Sequence, residues 1–247
     1  MDKTNFKLAI EYNGKDFFGW QKQDQKRTVQ GELENAFFKL LGQRVEVEGS
    51  GRTDKGVHAL GQVASVCFEN KVPFKNLKTA LNNLLPPDIL IKKIEKVDND
   101  FHARFLAKKK TYRYIAKVGQ RSAINFDREG VYGYKVDLQK ILNASKLLVG
   151  KHNFKGFACS DTTAKNFDRE IYFIDIKQKN STIIFDTCGN GFLYNMVRII
   201  VGTLLDVGRG KLSCDDIEKA LKTGDRKYSG ITMPPNGLYL LKVDYQK

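Results

Sequence analysis

The chain has 247 residues, with 42 Lys+Arg against 28 Asp+Glu and a formal net charge of +14. Hydrophobic residues make up 41% and charged residues 28%, which excludes low-complexity disorder and leaves enough apolar side chains for a buried core. No run of about 18 apolar residues occurs, so no membrane span is expected; the longest apolar stretch, Met196 to Val207, is broken by Arg198 and Asp206. The first residues show no basic segment leading into an apolar one, so no secretory signal is expected and the cytoplasm is the expected location. Cys67, Cys159, Cys188 and Cys214 form no Cys-x-x-Cys, and His58, His102 and His152 have no partner at ligand spacing. Neither a disulfide framework nor a metal site is expected.

Alternation of Phe6, Leu8, Ile10 and Tyr12 predicts the first strand. Thr28 caps a helix with the apolar face Val29, Leu33, Phe37, Leu40 and Leu41, closed by Gly42. Val45 and Val47 predict a short strand, the loop Gly49 to Gly56 follows, and Val63 to Phe68 predicts a second long strand. Leu77, Ala80, Leu81 and Leu84 mark a helix stopped at Pro86-Pro87, and Ile89 to Val97 is a strand. The order β-α-β-β-α-β is that of the split βαβ, or ferredoxin-like, arrangement.

The second half predicts the same succession. Tyr112 to Val118 reads as a strand, and Leu138 to Leu148 as a helix capped by Asp137 and ended by Gly150. Glu170 to Lys177 and Thr182 to Cys188 read as strands joined by Lys179-Asn180-Ser181. A helix over Phe192 to Val207 ends at Gly208, and another over Ser213 to Thr223 opens with a capping pattern, Ser213-x-x-Asp216, and ends at Gly224. Leu238 to Tyr245 closes the chain as a strand. The expected fold is therefore α+β: two ferredoxin-like halves, 1–104 and 105–247, with their sheets joined around a central basic cleft.

The positive excess points to a polyanion. From Arg104 to Arg121 the chain carries Arg104, Lys108, Lys109, Lys110, Arg113, Lys117 and Arg121 without one acid, and Tyr112 and Tyr114 are interleaved. Cations neutralise phosphates and aromatic faces stack bases; a strand with a basic outer face and a tyrosine inner face would look the same. No dinucleotide fingerprint, P-loop or nucleophile elbow is present. The loop Gly51-Arg52-Thr53-Asp54-Lys55-Gly56 sets one acid beside two cations, an arrangement that keeps a carboxylate ionised. An Asx turn with Gly56 at positive φ explains the same residues without chemistry. Arg198, amid Met196, Val197, Ile199, Ile200 and Val201, either snorkels or faces an anion such as Asp54.

The segment from Gly49 through Asp54 and His58 to Ala64 closely resembles the signature of the tRNA pseudouridine synthase A family. Further blocks carry the resemblance: Phe18-Gly19-Trp20-Gln21, Thr28-Val29-Gln30-Gly31, Phe101-His102-Ala103-Arg104, Lys110-Thr111-Tyr112-Arg113-Tyr114, Met196-Val197-Arg198 and Pro235-Asn236-Gly237-Leu238-Tyr239-Leu240. Residues 119–134, Asn153 and residues 168–171 depart from the family pattern. The resemblance implies isomerisation of uridine to pseudouridine, without a cofactor, in the tRNA anticodon arm at positions 38, 39 and 40. A paralogue acting on ribosomal RNA and a non-catalytic RNA-binding module are the competing readings.

By the same resemblance, Asp54 is the essential aspartate, which attacks C1′, adds to C6 or takes the C2′ proton. Arg198 pairs with it, Arg52 helps displace the target base, Tyr112 stacks on the uracil and Leu238 lines its pocket. Lys108, Lys109, Lys110 and Arg113 are expected on phosphates. The expected partners are tRNA and a second copy of the chain, with no membrane.

Overall fold

The alternating apolar residues at the start of the chain form strand β1 (Thr4–Tyr12), whose Phe6, Leu8 and Ile10 are completely buried. In this computed structural model, residues 3–69, 72–159 and 164–246 are described. The chain divides into two units, Met1–Lys108 with Leu240–Lys247, and Lys109–Tyr239.

In the first unit, β1 is followed by α1 (Val29–Leu41), β2 (Glu48–Gly49), β3 (His58–Phe68), α2 (Phe74–Leu84) and β4 (Ile89–Val97). Strand β1 lies between β3 and β4, antiparallel to both, and β2 pairs antiparallel with β3. This is the split βαβ order, so the α+β expectation holds. The Thr28 hydroxyl accepts from the Gly31 amide, and Gly42 closes α1 in the left-handed region at φ +68°. Leu85, held extended before Pro86, ends α2. Phe6 stacks on Phe68 at 4.6 Å, and Phe37 from α1 meets Phe68 at 5.2 Å, tying helix to sheet.

The strand expected at Val45 and Val47 does not form; pairing begins at Glu48. Val47 is fully buried, but its amide donates to the Glu34 carboxylate of α1 at 3.3 Å. A side chain thus satisfies a donor that alternation alone assigns to a ladder.

In the second unit, the ladder β5 (Lys109–Val118), β9 (Thr182–Gly189), β8 (Asp168–Lys179) and β7 (Gly150–Asn153) is antiparallel throughout, and β6 (Gly130–Tyr132) pairs parallel with β5. Asn180, at φ +53°, turns the β8–β9 hairpin. Helix α3 (Leu138–Ser145) starts under Asp137, whose carboxylate accepts from Gln139 and Lys140. It continues as a 3₁₀ turn over Lys146–Leu148. Gly150 opens β7 at φ +112°. Helix α5 (Cys214–Thr223) carries the expected Ser213/Asp216 capping box.

Helix α4 runs from Met196 to Arg209, not from Phe192 to Val207. Gly208 lies inside it, because a Cβ there would come within 2.7 Å of the Ile141 side chain on α3. That glycine permits close helix packing, and the stop is Gly210, left-handed at φ +80°. Near this end Asp206, 1% exposed, accepts from the Tyr132 hydroxyl at 2.7 Å and from Lys211 Nζ at 3.1 Å. The closing strand β10 (Leu238–Asp244) begins in the second unit and ends in the first, where it lies next to β3. A Cβ at Gly61 of β3 would come within 2.4 Å of the Leu241 carbonyl, so this approach requires glycine.

Candidate active site

In the first unit, the turn between β2 and β3 carries Arg52, Asp54 and Lys55. Its backbone is held from several distant points. The Trp20 amide donates to the Thr53 carbonyl at 3.0 Å, the Ser50 amide to the Val63 carbonyl at 2.7 Å, and the Gly56 amide to the Phe17 carbonyl at 3.3 Å. The Ser50 hydroxyl donates to Gln62 Oε1 at 2.8 Å, and Gln62 Nε2 donates to the Gly51 carbonyl at 2.9 Å. Tyr12 OH and Thr53 Oγ1 are 2.8 Å apart. Burial raises the Tyr12 phenol well above its ordinary range; bonds from Thr53 and Gln62 oppose this, and the nearby Asp54 charge adds to it. Tyr12 is therefore a neutral hydrogen-bonding post beneath the turn.

Gly56 does take positive φ, +80°, and the Val57 amide donates to the Asp54 carbonyl at 3.1 Å, closing a backbone β-turn over Asp54 to Val57. Gly19, at φ +91°, packs so closely that a Cβ would lie 2.6 Å from the Thr53 carbonyl. Asp54 is half-buried, whereas Arg52 and Lys55 are exposed. The Lys55 ammonium stands 4.2 Å above the Phe18 ring. His58 is buried and its Nδ1 accepts from the Gly14 amide at 3.0 Å; His102 Nδ1 accepts from the Arg104 amide at 3.1 Å. Both rings thus serve the backbone. A carboxylate on a fixed turn with adjacent cations can act as nucleophile or base without first reorganising its loop.

In the second unit, β5 carries Lys109, Lys110, Tyr112 and Arg113. Tyr112 is 8% exposed, and the Phe192 ring meets it edge-on with centroids 5.2 Å apart. Arg113 faces Asp186 across the ladder and is bound by it twice, Nε at 2.8 Å and Nη2 at 2.7 Å. This bidentate pair commits the guanidinium within the sheet. Lys109 Nζ lies 5.1 Å above the Tyr172 ring. Lys108 is an exposed residue of the first unit, its amide donating to the Asp244 carbonyl at 2.8 Å. Leu238, 5% exposed, opens β10. Arg198 lies in the first turn of α4, half-buried, with Nε donating to the Met233 carbonyl at 2.6 Å and Nη1 to Asn195 Oδ1 at 2.5 Å. Its charge opposes the strong upward push that burial gives the Tyr114 phenol.

Sequence reasoning passed over the residues that hold this machinery: Tyr12, Gln62, Met233 and Asn195. Gln62 could have been noticed as a polar residue inside an apolar strand. The others carry no local signal, because their partners lie far along the chain or, for Asn195, because the helix expected over Phe192 to Val207 placed it inside the helix rather than before it.

A family profile described as tRNA pseudouridine synthase matches residues 8–106 and 144–246. Arg52, Asp54, Arg198 and Leu238 fall inside these stretches; Lys108, Lys109, Lys110, Tyr112 and Arg113 fall between them. Three relatives carry the name tRNA pseudouridine synthase A. The Lacticaseibacillus casei protein is 45% identical over 246 residues, covering 98% of this chain and 100% of the relative. Those of Caldicellulosiruptor bescii and Acetivibrio thermocellus are 44% and 43% identical over 242 residues, each covering 98% of this chain and 99% of the relative.

Proposed function

Because this chain belongs to the tRNA pseudouridine synthase family, and is an isomerase acting on uridine in tRNA, we propose that its targets lie in the anticodon arm, at positions 38, 39 and 40, and that Asp54 is the carboxylate that opens the reaction. The C1′–N1 bond breaks, the uracil turns, C1′ bonds to C5, and the C5 proton leaves as N1 gains one. No electrons are gained or lost overall. The observation that carries the assignment is the Asp54 turn itself, pinned through Thr53, Ser50 and Gly51 and flanked by Arg52 and Lys55.

In this reading Tyr112 stacks on the target base, a contact of roughly 1–3 kcal/mol. Leu238 contributes apolar surface to the base, Arg52 aids its displacement, and Arg198 supplies positive charge to the catalytic step. Extruding the uridine costs a few kcal/mol, less in a loop than in a stem. Lys108, Lys109 and Lys110 contact phosphates; Arg113, already bound by Asp186, contributes less. The working form is a cytoplasmic homodimer, which sedimentation of the purified protein with and without tRNA tests for stoichiometry. Among the described residues no helix is long and apolar enough to cross a membrane.

The deciding experiment incubates the protein with defined tRNA and ribosomal RNA transcripts and maps pseudouridine at single-nucleotide resolution. Pseudouridine at tRNA positions 38 to 40 is the expected product. Modification confined to ribosomal RNA, or none in either RNA, removes the proposed target.

Phosphate and base contacts separate by salt. Lys108→Gln is expected to weaken tRNA binding and reduce the slope of log affinity against log salt by about 0.7–0.9, the value for one released counterion. Tyr112→Ala removes no charge, so the slope stays near that of the wild type while the single-turnover rate at saturating enzyme falls strongly. A flattened slope with an intact rate in Tyr112→Ala reduces Tyr112 to a docking residue.

A further inference from the structure

The residue before α4, Asn195, departs from ordinary helix-capping behaviour in two ways. Its backbone is left-handed, at φ +61° and ψ +4°, a region that non-glycine residues enter sparingly. Its side chain makes no capping bond to the helix amides, the usual employment of asparagine at this position. The side-chain oxygen instead accepts from Arg198 Nη1 at 2.5 Å. Backbone strain and a forgone cap at one residue are the kind of local cost that persists where the surrounding structure uses the resulting geometry.

The geometry completes a clamp on Arg198. Its Nε donates to the Met233 carbonyl at 2.6 Å, and the Met233 amide donates back to the Arg198 carbonyl at 3.3 Å. Met233 is fully buried, and its segment is strapped to α4 by the Gly230 amide, which donates to Thr203 Oγ1 at 2.8 Å. A guanidinium is planar and rigid, so two acceptors on different N–H groups fix both its position and its plane. Met233 supplies one acceptor from the backbone, and Asn195 supplies another from its side chain.

We propose that Asn195 is a positioning residue for the reaction: its side-chain oxygen, aimed by the left-handed backbone, fixes the plane of the Arg198 guanidinium. The proposal rests on the reading that Arg198 serves the catalytic step. It differs from the simpler view that asparagine occupies this position only because it tolerates positive φ, and glycine separates the two. Glycine adopts φ +61° without strain, so Asn195→Gly keeps the backbone conformation and removes the side chain with its acceptor oxygen.

The test is a double-mutant cycle on single-turnover pseudouridine formation, with tRNA affinity and thermal midpoint measured in parallel. Asn195→Gly is expected to lower the single-turnover rate by about tenfold, with tRNA affinity and midpoint nearly unchanged. Asn195→Asp, which keeps an acceptor oxygen and a similar tolerance of this conformation, should lie closer to the wild type. In an Arg198→Ala background, Asn195→Gly should cause no further loss, because its effect passes through the missing guanidinium. A wild-type rate in Asn195→Gly overturns the proposal, as does an equal loss in both backgrounds. A wild-type rate in Arg198→Ala itself instead overturns the role given to Arg198.

Discussion

Asp54→Asn is expected to lower single-turnover pseudouridine formation by at least about 10⁴-fold, the scale of loss when a reacting group is removed from a site whose remaining contacts stay intact. The substitution is nearly isosteric, so it exchanges an ionised carboxylate for a neutral amide and leaves the shape of the turn alone. The turn is held by backbone bonds from Trp20, Ser50 and Gly56, and by Tyr12 and Gln62 acting on Thr53 and Gly51. Stability should therefore change by less than about 1 kcal/mol, as for most substitutions outside a core, and tRNA affinity should stay within a few-fold of wild type. The measurements are rate at saturating enzyme, affinity by filter binding, and the urea midpoint. Ready turnover by a preparation free of wild-type protein would falsify the assignment of Asp54. A collapse of the urea midpoint would make the carboxylate part of the scaffold instead.

The second large effect concerns folding. Asp206→Ala is expected to destabilise the protein by about 2–3 kcal/mol, the upper part of the range for leaving a buried hydrogen-bond donor unpaired. Asp206 is 1% exposed and accepts from Tyr132 OH and from Lys211 Nζ. Alanine leaves the Tyr132 hydroxyl without that acceptor. Lys211, whose side chain is 49% exposed, can still reach water, so most of the cost falls at Tyr132. Burial and the Asp206 bond both raise the Tyr132 phenol well above its ordinary range, so it remains a neutral donor. Asp206→Asn keeps an acceptor for this hydroxyl and should cost about 1 kcal/mol, the net worth of an ordinary hydrogen bond. Urea titration at constant m-value measures both. Equal losses for alanine and asparagine would show that the charge, rather than the hydroxyl's acceptor, sets the cost.

Where residues answer to neighbours in sequence, their structure was legible beforehand. The alternation of Phe6, Leu8 and Ile10, the Thr28 and Asp137 caps, the Ser213/Asp216 box and the proline stop at Pro86 each encode an element through a contact within a few residues. Misreadings arose where a distant group took over. Val47 looked like a strand residue, but its amide is satisfied from α1 by Glu34. Gly208 looked like a helix stop, but its missing Cβ makes room for Ile141 of α3. The strands β6 and β7, three and four residues long, are too short for periodicity to register.

The same division runs through the candidate site. Sequence by itself determined the α+β class, the run of cations around Tyr112, and the turn that sets Asp54 between Arg52 and Lys55, since each is a pattern within a short window. The long blocks that resemble the family signature also made the family recognisable, and the family profile matches over residues 8–106 and 144–246. Only the tertiary structure decided how these side chains are held. Arg113 is bound by Asp186 because β5 and β9 pair in that register. The Asp54 turn is anchored through Thr53 because Tyr12 and Trp20 reach it from another strand and loop. Arg198 is oriented by Met233, thirty-five residues away, and by an asparagine whose left-handed backbone no local pattern announces. Hydrogen bonds and register are settled by which segments meet in space, and short-range periodicity carries no record of those meetings.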